Sequence, residues 1–192
     1  AVIVGSEVLS KLINWKDRNT CVLFGDGAGA VFIEPSLDVN TGILDTYTKS
    51  MGEKSDSLVS KSITIENSLI GENKEIDPYI VMDGREVFKF AVSSIVESVN
   101  KILTDNNLST DDIKYIVPHQ ANIRIIESAA QRLKVSVDKF FTNLYKYGNT
   151  SGASIPIAVA EMNESKKFKK GDLIILVGFG GGLTYGSVLI KW

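Results

Sequence analysis

Three short segments of this 192-residue chain contain residue types that stabilise negative charge on a substrate oxygen. His119 is the only histidine, Asn149 lies in a Gly-Asn-Thr-Ser run, and Gly180–Gly182 is a run of three glycines. A neutral imidazole and a carboxamide each donate a hydrogen bond to an oxyanion, and glycine backbone approaches a substrate closely. The combination suits an enolate or a tetrahedral oxyanion. A lone histidine is usually structural, so the other two segments carry this prediction.

The predicted secondary structure brings the three segments to one edge of a sheet. Each segment follows a predicted strand, and these strands are Ile113–Val117, Phe140–Leu144 and Leu173–Phe179. In open α/β sheets, ligands bind beyond the carboxyl ends of parallel strands. If the three strands run parallel, their following segments converge on one site.

The remaining periodic segments predict alternating strands and helices, which indicates α/β layers. Apolar residues at helical spacing predict a long helix over Val87–Leu103, with Asp83 as its N-cap and Glu86 as a capping-box partner; Ser109 or Thr110 caps the next turn. The other predicted elements are a strand at 1–4, a short helix Glu7–Leu12, a hairpin of Cys21–Phe24 with Ala30–Ile33 around the turn Gly25–Gly29, a strand Gly42–Thr48, helices Ile123–Leu133 and Ser151–Met162, and a strand Thr184–Ile190. Residues from about 50 to 78 are predicted to form an extended loop region with one or two short strands, indicated by weak alternation at Ile63–Ile65.

Composition excludes several classes of protein. A net charge of −2 gives no overall field for nucleic acid or an anionic membrane, and no apolar stretch approaches the length of a membrane span. One cysteine and one histidine cannot assemble an ordinary zinc site, so no metal is expected. We therefore expect a cytoplasmic protein. The chain begins at Ala1 inside a strand-like run without a methionine, which indicates a piece of a longer protein.

Two other enzyme classes fit the motifs poorly. A serine hydrolase needs a Gly-x-Ser-x-Gly turn, whereas Ser151 lies in Gly-Asn-Thr-Ser-Gly. The Gly25–Ala30 segment satisfies the dinucleotide pattern, but the β-like run Val31–Ile33 follows where a helix should begin. We interpret these glycines as turn residues.

Four motifs together resemble the C-terminal half of the beta-ketoacyl-acyl-carrier-protein synthase III family. They are FGDGAGA at Phe24–Ala30, PHQAN at Pro118–Asn122, GNTSGAS at Gly148–Ser154 and GFGGGLTYGS at Gly178–Ser187. The resemblance runs from about residue 18 to the terminus. It implies a thiolase-like fold, here a mixed five-stranded sheet with helices on its faces, with residues 1–17 as the end of the N-terminal half and 18–192 as the C-terminal domain.

The resemblance also implies catalytic roles. His119 and Asn149 match the family's histidine and asparagine, which stabilise the enolate formed when malonyl-acyl carrier protein loses carbon dioxide. Gly181 matches an oxyanion-hole donor, and Phe179 would shape the malonyl pocket. The nucleophilic cysteine of the family would precede Ala1, since Cys21 does not match it. The chain alone is therefore expected to be inactive.

Further matches concern substrate binding. Arg18 matches an arginine that packs against the adenine of coenzyme A, while Gly84 and Asn122 lie along the pantetheine path. Lys89 and Arg124 match basic positions suited to phosphate or to the acidic carrier protein, although exposed helical cations are often only solvated. Two departures, Asn19 and Arg85 where relatives commonly have glycine and asparagine, weaken the coenzyme A assignment. Coenzyme A and carrier-protein thioesters are substrates in this interpretation, and no resident cofactor is expected.

One predicted helix indicates that a partner covers part of this chain. The run Ala153–Ala160 is apolar almost all round, which is typical of a helix buried on every side. We expect the N-terminal half, or another copy, to cover it. The resemblance further implies a homodimeric full-length enzyme whose starter is an acyl-CoA, with acetyl-CoA as the first candidate. A polyketide-type acyltransferase and a non-catalytic scaffold half stay open as alternatives.

Overall fold

A computed structural model describes residues 1–60 and 79–192, which form a mixed α/β fold. The strands are β1 (Val2–Glu7), β2 (Gly27–Phe32), β3 (Gly42–Ser50), β4 (Leu58–Ser60), β5 (Ile80–Met82), β6 (Ile113–Pro118), β7 (Leu173–Gly180) and β8 (Thr184–Lys191). The α-helices are α1 (Gly84–Asp105), α2 (Ile123–Leu133), α3 (Leu144–Tyr147) and α4 (Ser154–Glu164). Short 3₁₀ helices cover Leu9–Lys11, Gly52–Ser57, Thr110–Asp112, Val137–Lys139 and Ser151–Ala153.

The main sheet has the strand order β3-β8-β7-β6. β6 and β7 run parallel, whereas β8 is antiparallel to both β7 and β3, which confirms the mixed sheet. The fifth strand expected over Phe140–Leu144 is wrong in its extent. Phe140 makes a single parallel bridge to Ile116, and α3 begins at Leu144. The regular sheet described by the structure thus has four strands.

Alternation along β6 and β7 builds a core on each face of the sheet. Ile116 and Ile175 join the cluster formed with α1 and α2, while Val117 and Ile174 pack with Met162 of α4 on the other face. All five side chains are essentially inaccessible to solvent. Burial on both faces is the usual state of parallel strands between helices, and explains why these strands are almost continuously apolar.

The long helix α1 confirms the prediction from apolar spacing. Its N-cap is Asp83, whose carboxylate accepts hydrogen bonds from the backbone N–H groups of Arg85 and Glu86, both at 3.0 Å. The predicted capping-box role of Glu86 is wrong. Its carboxylate pairs with Lys54 and Lys89 because both cations lie within 3.4 Å of it, and the Asp83 N–H donates instead to the Ser57 carbonyl. A capping box forms instead beyond the end of α1, between Ser109 and Asp112.

The hairpin predicted for Cys21–Phe24 and Ala30–Ile33 is also wrong. β2 pairs antiparallel with β1, so that Val2 lies opposite Phe32 and Glu7 opposite Gly27. Residues that alternate in polarity identify a strand but not its partner. The partner of β2 is β1, which lies farther away in the sequence than the Cys21–Phe24 run next to the turn. The helix predicted over Glu7–Leu12 is reduced to a 3₁₀ turn at Leu9–Lys11.

The β1–β2 pair and α4 leave apolar surface exposed. β2 packs against α4 so closely that a Cβ on Gly29 would lie 2.9 Å from Pro156. In the described residues, α4 buries only Ser154, Ala158 and Met162, although it was predicted to be buried on every side. The exposed apolar side chains of the strand pair are Val2, Ile3, Val4, Val31 and Phe32. The register places Val2, Val4 and Phe32 on one face of the strand pair and Ile3 and Val31 on the other. Both faces therefore expose apolar side chains, and a partner is the usual reason for such exposure.

The region predicted as an extended loop over 50–78 is partly regular. It contains the 3₁₀ turn at Gly52–Ser57 and β4, which pairs antiparallel with β5. The strand predicted near Ile63–Ile65 lies outside the described residues. Likewise, the domain boundary at residue 17 stays a prediction.

Candidate active site

His119 lies at the carboxyl end of β6, where the first segment was expected. Its backbone N–H donates to the Val177 carbonyl of β7 at 2.7 Å, which ties the residue to the neighbouring parallel strand. The imidazole meets the ring of Phe179 edge to face, with centroids 5.1 Å apart. The parallel β6–β7 pair therefore brings His119 and Phe179 together at one edge of the sheet, as predicted.

A buried hydroxyl holds the other side of the imidazole. Ser154 Oγ lies 2.6 Å from His119 Nδ1, and the Ser154 side chain is 2 % exposed. Sequence analysis missed this residue as part of the site. The available signal was its place in the GNTSGAS motif, as a serine opening an otherwise apolar helix.

Burial keeps the imidazole neutral. Desolvation lowers the pKa of His119 from 6.5 to about 4, because the surrounding protein cannot solvate an imidazolium as water does. Part of the side chain stays accessible from the cavity beside it. A neutral imidazole carries one N–H donor and one acceptor, which is the state needed to donate to an oxyanion near neutral pH.

This depressed pKa predicts a loss of stability in mild acid. The unfolded histidine titrates near 6.5 and the folded one at about 4, so between these pH values the unfolded state binds more protons. We expect protonation of His119 in the unfolded state to lower the free energy of unfolding by up to about 3 kcal/mol as the pH falls through that window. Chemical denaturation at several pH values checks this. The His119→Gln variant should lose less stability over the same interval, and equal losses in both proteins would contradict the assignment.

Asn149 reaches the same place by a different route from the one predicted. It follows α3 and Gly148, whose φ of 69° is readily adopted only by glycine. The Asn149 N–H donates to the Leu23 carbonyl at 2.9 Å, and the Gly25 N–H donates to the Asn149 carbonyl at 2.9 Å. Two hydrogen bonds to the Leu23–Gly25 segment, rather than a sheet strand, therefore fix the backbone of Asn149.

The carboxamide of Asn149 is oriented by its own loop. Oδ1 accepts a hydrogen bond from the Ser151 N–H at 2.9 Å, which leaves the NH₂ group pointing away from that loop. Within residues 1–60 and 79–192, no acceptor takes a hydrogen bond from Nδ2. Asn149 is 9 % exposed, so a donor that is nearly buried is available to a ligand.

His119 and Asn149 share two adjoining cavities. A narrow one of about 110 Å³ lies between them and α1, and a wider cleft of about 960 Å³ opens on the other side, towards β3 and β8. Both cavities are also lined by Phe24, Leu58, Phe179 and Gly180. The two donors thus flank a passage that a ligand can enter from either side.

Gly181 and Phe179 lie at the same passage. Gly181 follows β7 directly and lines the wider cleft, and a Cβ there would lie 3.4 Å from the Leu58 carbonyl. Phe179 lines both cavities and contacts His119. The structure therefore brings all four predicted central residues to one place.

An outer cleft of about 870 Å³ continues the narrow cavity to the surface. Gly84 and Asn122 line both, so the two spaces form one path. Asn122 also caps α2, since its Oδ1 accepts from the Arg124 N–H at 2.9 Å. Lys89 and Arg124 lie on the wall of the outer cleft, where Lys89 Nζ is paired with Glu86 Oε1 at 2.8 Å.

Arg18 is at the rim of this outer cleft. Its neighbours Asp17 and Asn19 line the cleft, whereas Arg18 itself is exposed outside the lining. Asp17 is occupied in a tight turn: its carboxylate accepts from the Asn19 N–H and from Thr20 Oγ1, and these contacts lower its pKa. Arg18 is thus the one predicted binding residue that the structure does not bring into the cleft.

Two models of one protein family match this chain. The model described as the 3-oxoacyl-[acyl-carrier-protein (ACP)] synthase III C terminal matches residues 103–192, and that described as 3-oxoacyl-[acyl-carrier-protein (ACP)] synthase III matches residues 1–52. The beta-ketoacyl-[acyl-carrier-protein] synthase III of Clostridium novyi is 56% identical over 192 residues. The chain belongs to the beta-ketoacyl-acyl-carrier-protein synthase III family. That membership confirms the resemblance drawn from the four motifs.

Other family members agree with the assignment. The Clostridium acetobutylicum synthase III is 54% identical over 192 residues. The crystal structure of the synthase III from Aquifex aeolicus superimposes with a TM-score of 0.88 at 41% identity, and confirms the thiolase-like α/β fold. These matches cover the whole chain but 59%, 58% and 57% of the respective relatives. The chain therefore spans less than two thirds of a synthase III.

Two further observations concern the described residues alone. No helix in residues 1–60 and 79–192 combines the length and apolar character needed to cross a bilayer. In the same residues, no group of three or more histidine, cysteine, aspartate or glutamate side chains could hold a metal ion.

Proposed function

We propose that this chain is the C-terminal part of a beta-ketoacyl-acyl-carrier-protein synthase III that starts fatty acid synthesis. The observation that carries the proposal is the joint presence of His119 and Asn149 in a passage leading to the surface, within a chain of this family. One N–H donor from each side chain meets the requirement for stabilising an enolate oxygen.

Decarboxylation of malonyl-acyl carrier protein is the step that these donors serve. When the bond between the methylene carbon and the carboxylate breaks, carbon dioxide leaves and its bonding electron pair moves into the thioester to form an enolate. His119 and Asn149 Nδ2 donate to the enolate oxygen, where negative charge develops. A neutral imidazole suits this role because its N–H donates a hydrogen bond but is too weak an acid to give its proton to the enolate, and burial favours that neutral state.

Carbon–carbon bond formation then uses Gly181. The methylene carbon of the enolate attacks an acyl group held as a thioester on a cysteine, and collapse of the tetrahedral intermediate releases the cysteine thiolate and a 3-oxoacyl-acyl carrier protein. Gly181 N–H donates to the oxyanion of that intermediate. Phe179 packs on the imidazole and bounds the malonyl pocket.

The nucleophilic cysteine comes from outside these 192 residues. Cys21, the only cysteine of the chain, is absent from the lining of both cavities that contain His119. A thiol in that position cannot carry the acyl group to the enolate. The wider cleft beside His119, Asn149 and Gly181 has room for a segment that brings the nucleophile.

Substrates enter through the outer cleft. Gly84 and Asn122 lie where the cleft narrows, which suits the thin pantetheine arm shared by acyl-CoA and acyl carrier protein. Lys89 and Arg124 on its wall attract phosphate groups and an acidic carrier protein, and Arg18 at the rim can move onto a bound adenine. Glu86 already pairs with Lys89, whereas Arg124 forms no salt bridge within residues 1–60 and 79–192.

The remaining part of the enzyme, its N-terminal half, covers the apolar surface of β1, β2 and α4, and homodimerisation buries more of it. Support comes from the exposure of Val4 at 61% and Phe32 at 68% in adjacent strands. Left uncovered, the apolar side chains of this strand pair would favour aggregation.

The decisive experiment incubates the full-length protein with malonyl-acyl carrier protein and a panel of acyl-CoA starters. We expect a 3-oxoacyl-acyl carrier protein, formed best from acetyl-CoA, and no product from the 192-residue chain alone. Product only with another class of acceptor would favour the polyketide-type alternative. No product with any pair would favour a scaffold, and condensation by the isolated chain would contradict the proposed covalent route.

A further inference from the structure

Ser154 lies between two groups of the His119 segment. Its Oγ is 2.6 Å from His119 Nδ1 and accepts a hydrogen bond from the Gln120 N–H at 3.3 Å. The serine is the first residue of α4 and is 2 % exposed, so both contacts are shielded from water.

The two contacts together determine where the serine proton goes. A backbone N–H only donates, so the Ser154 oxygen acts as an acceptor towards Gln120. Its single hydrogen is then free for another partner, and in the described part of the chain the one acceptor within reach is His119 Nδ1. If Nδ1 carried the proton instead, the serine hydrogen would be left buried without an acceptor, which is unfavourable.

We propose that Ser154 is a positioning residue that selects the Nε2–H tautomer of His119 by donating its hydroxyl hydrogen to Nδ1. A neutral imidazole has one ring proton, and a hydrogen bond received at one nitrogen sets that proton on the other. The inference rests on the proposed function for its consequence: Nε2–H is the donor that meets the enolate oxygen. In the opposite tautomer a lone pair would face that oxygen and repel it.

The surroundings keep the selecting contact rigid. The Gln120 side chain is 1% exposed and donates through Nε2 to the Pro118 carbonyl at 2.8 Å and to the Phe141 carbonyl at 3.1 Å, while its Oε1 accepts from the Asn143 N–H at 3.1 Å. These three bonds fix the backbone on either side of His119. Ser154 therefore faces an imidazole that has little freedom to turn away.

Nitrogen-15 NMR of labelled histidine tests the tautomer directly. In the full-length protein, the His119 resonances are assigned by their loss in His119→Gln, and one- and two-bond couplings then show which ring nitrogen carries hydrogen. We expect a protonated Nε2 in the unmodified protein and a mixture of tautomers in Ser154→Ala. The matched control is Ser98→Ala, which removes a buried serine hydroxyl that has no hydrogen-bond partner in the described structure. It should leave the His119 spectrum unchanged.

Kinetics supplies the second reading. Ser154→Ala should lower kcat for decarboxylation of malonyl-acyl carrier protein in proportion to the fraction of His119 that loses the Nε2 proton, about two-fold for an even mixture and about 10-fold where the Nδ1–H tautomer predominates at about nine to one, with little change in KM. A fall in kcat with an unchanged tautomer would overturn the inference, because it would assign Ser154 a packing role. A mixture of tautomers in the unmodified protein would overturn it as well. Absence of decarboxylation in the unmodified protein would contradict the proposed function, while the NMR measurement still decides the tautomer.

Discussion

Replacing His119 by alanine in the full-length protein is expected to lower the rate of malonyl-acyl carrier protein decarboxylation by about 10²–10³-fold. The imidazole and the Asn149 carboxamide both line the narrow cavity, and in the proposed route the loss of the imidazole leaves Asn149 Nδ2 alone with the developing oxyanion. Since the proposed function places the pantetheine arm in the outer cleft, KM should change little. Release of carbon dioxide, followed separately from condensation, measures the effect.

Comparison with Asn149→Ala sharpens this test. If both donors act on one oxygen, the double variant should be no more than slightly slower than either single variant, since groups that work as a unit are not additive. Asn163→Ala, at an exposed position near the end of α4, is the matched control and should keep full activity. Normal decarboxylation by His119→Ala, with only condensation impaired, would remove His119 from the enolate step.

A second large effect is expected from Gly25→Ala. Gly25 donates its N–H to the Asn149 carbonyl, and a Cβ at Gly25 would overlap the Tyr147 carbonyl oxygen. Because the obstacle is backbone rather than a flexible side chain, the parallel β-bridge between Phe24 and Asn149 must open. We expect a loss of about 1–3 kcal/mol in the free energy of unfolding, typical of overpacking. A displacement of about 1 Å at Asn149 would also lower the decarboxylation rate about 10²-fold.

Denaturation and decarboxylation assays on the same preparations separate the two consequences. The control is Gly52→Ala, because a Cβ at that position would meet nothing within 4 Å and φ is not in the left-handed region. That variant should match the unmodified protein in both assays. Unchanged stability and rate in Gly25→Ala would show that the segment can move without disturbing Asn149, against the close contact seen in the structure.

Local patterns in the sequence predicted most of the elements around the site. α1 is predicted by the helical spacing of its apolar residues, and β6 and β7 by their apolar runs. These patterns involve residues close together in sequence, so they can be recognised without knowledge of the fold. The same holds for the N-cap at Asp83, which concerns residues two and three positions along the chain. His119 was located from its place after β6.

These local patterns could not predict contacts between segments that are distant in the sequence. β2 pairs with β1 and not with the adjacent Cys21–Phe24 run. The sequence could not predict this partner, because the alternation of side chains along a strand is the same for any partner. The Glu86 carboxylate is taken by Lys54, 32 residues away, which no capping motif reveals. Asn149 is placed by the Leu23–Gly25 segment instead of the strand predicted at Phe140–Leu144.

The sequence by itself therefore determined the residue types of the site, the strands that lead to it and, through four motifs, the family. Only the tertiary structure decided that His119 meets Ser154, and that no acceptor within residues 1–60 and 79–192 takes a hydrogen bond from Asn149 Nδ2. The physical reason is range. Periodicity and capping depend on neighbours within about four residues, whereas the state of a buried donor depends on every group packed around it, and the His119–Ser154 contact joins residues 35 positions apart.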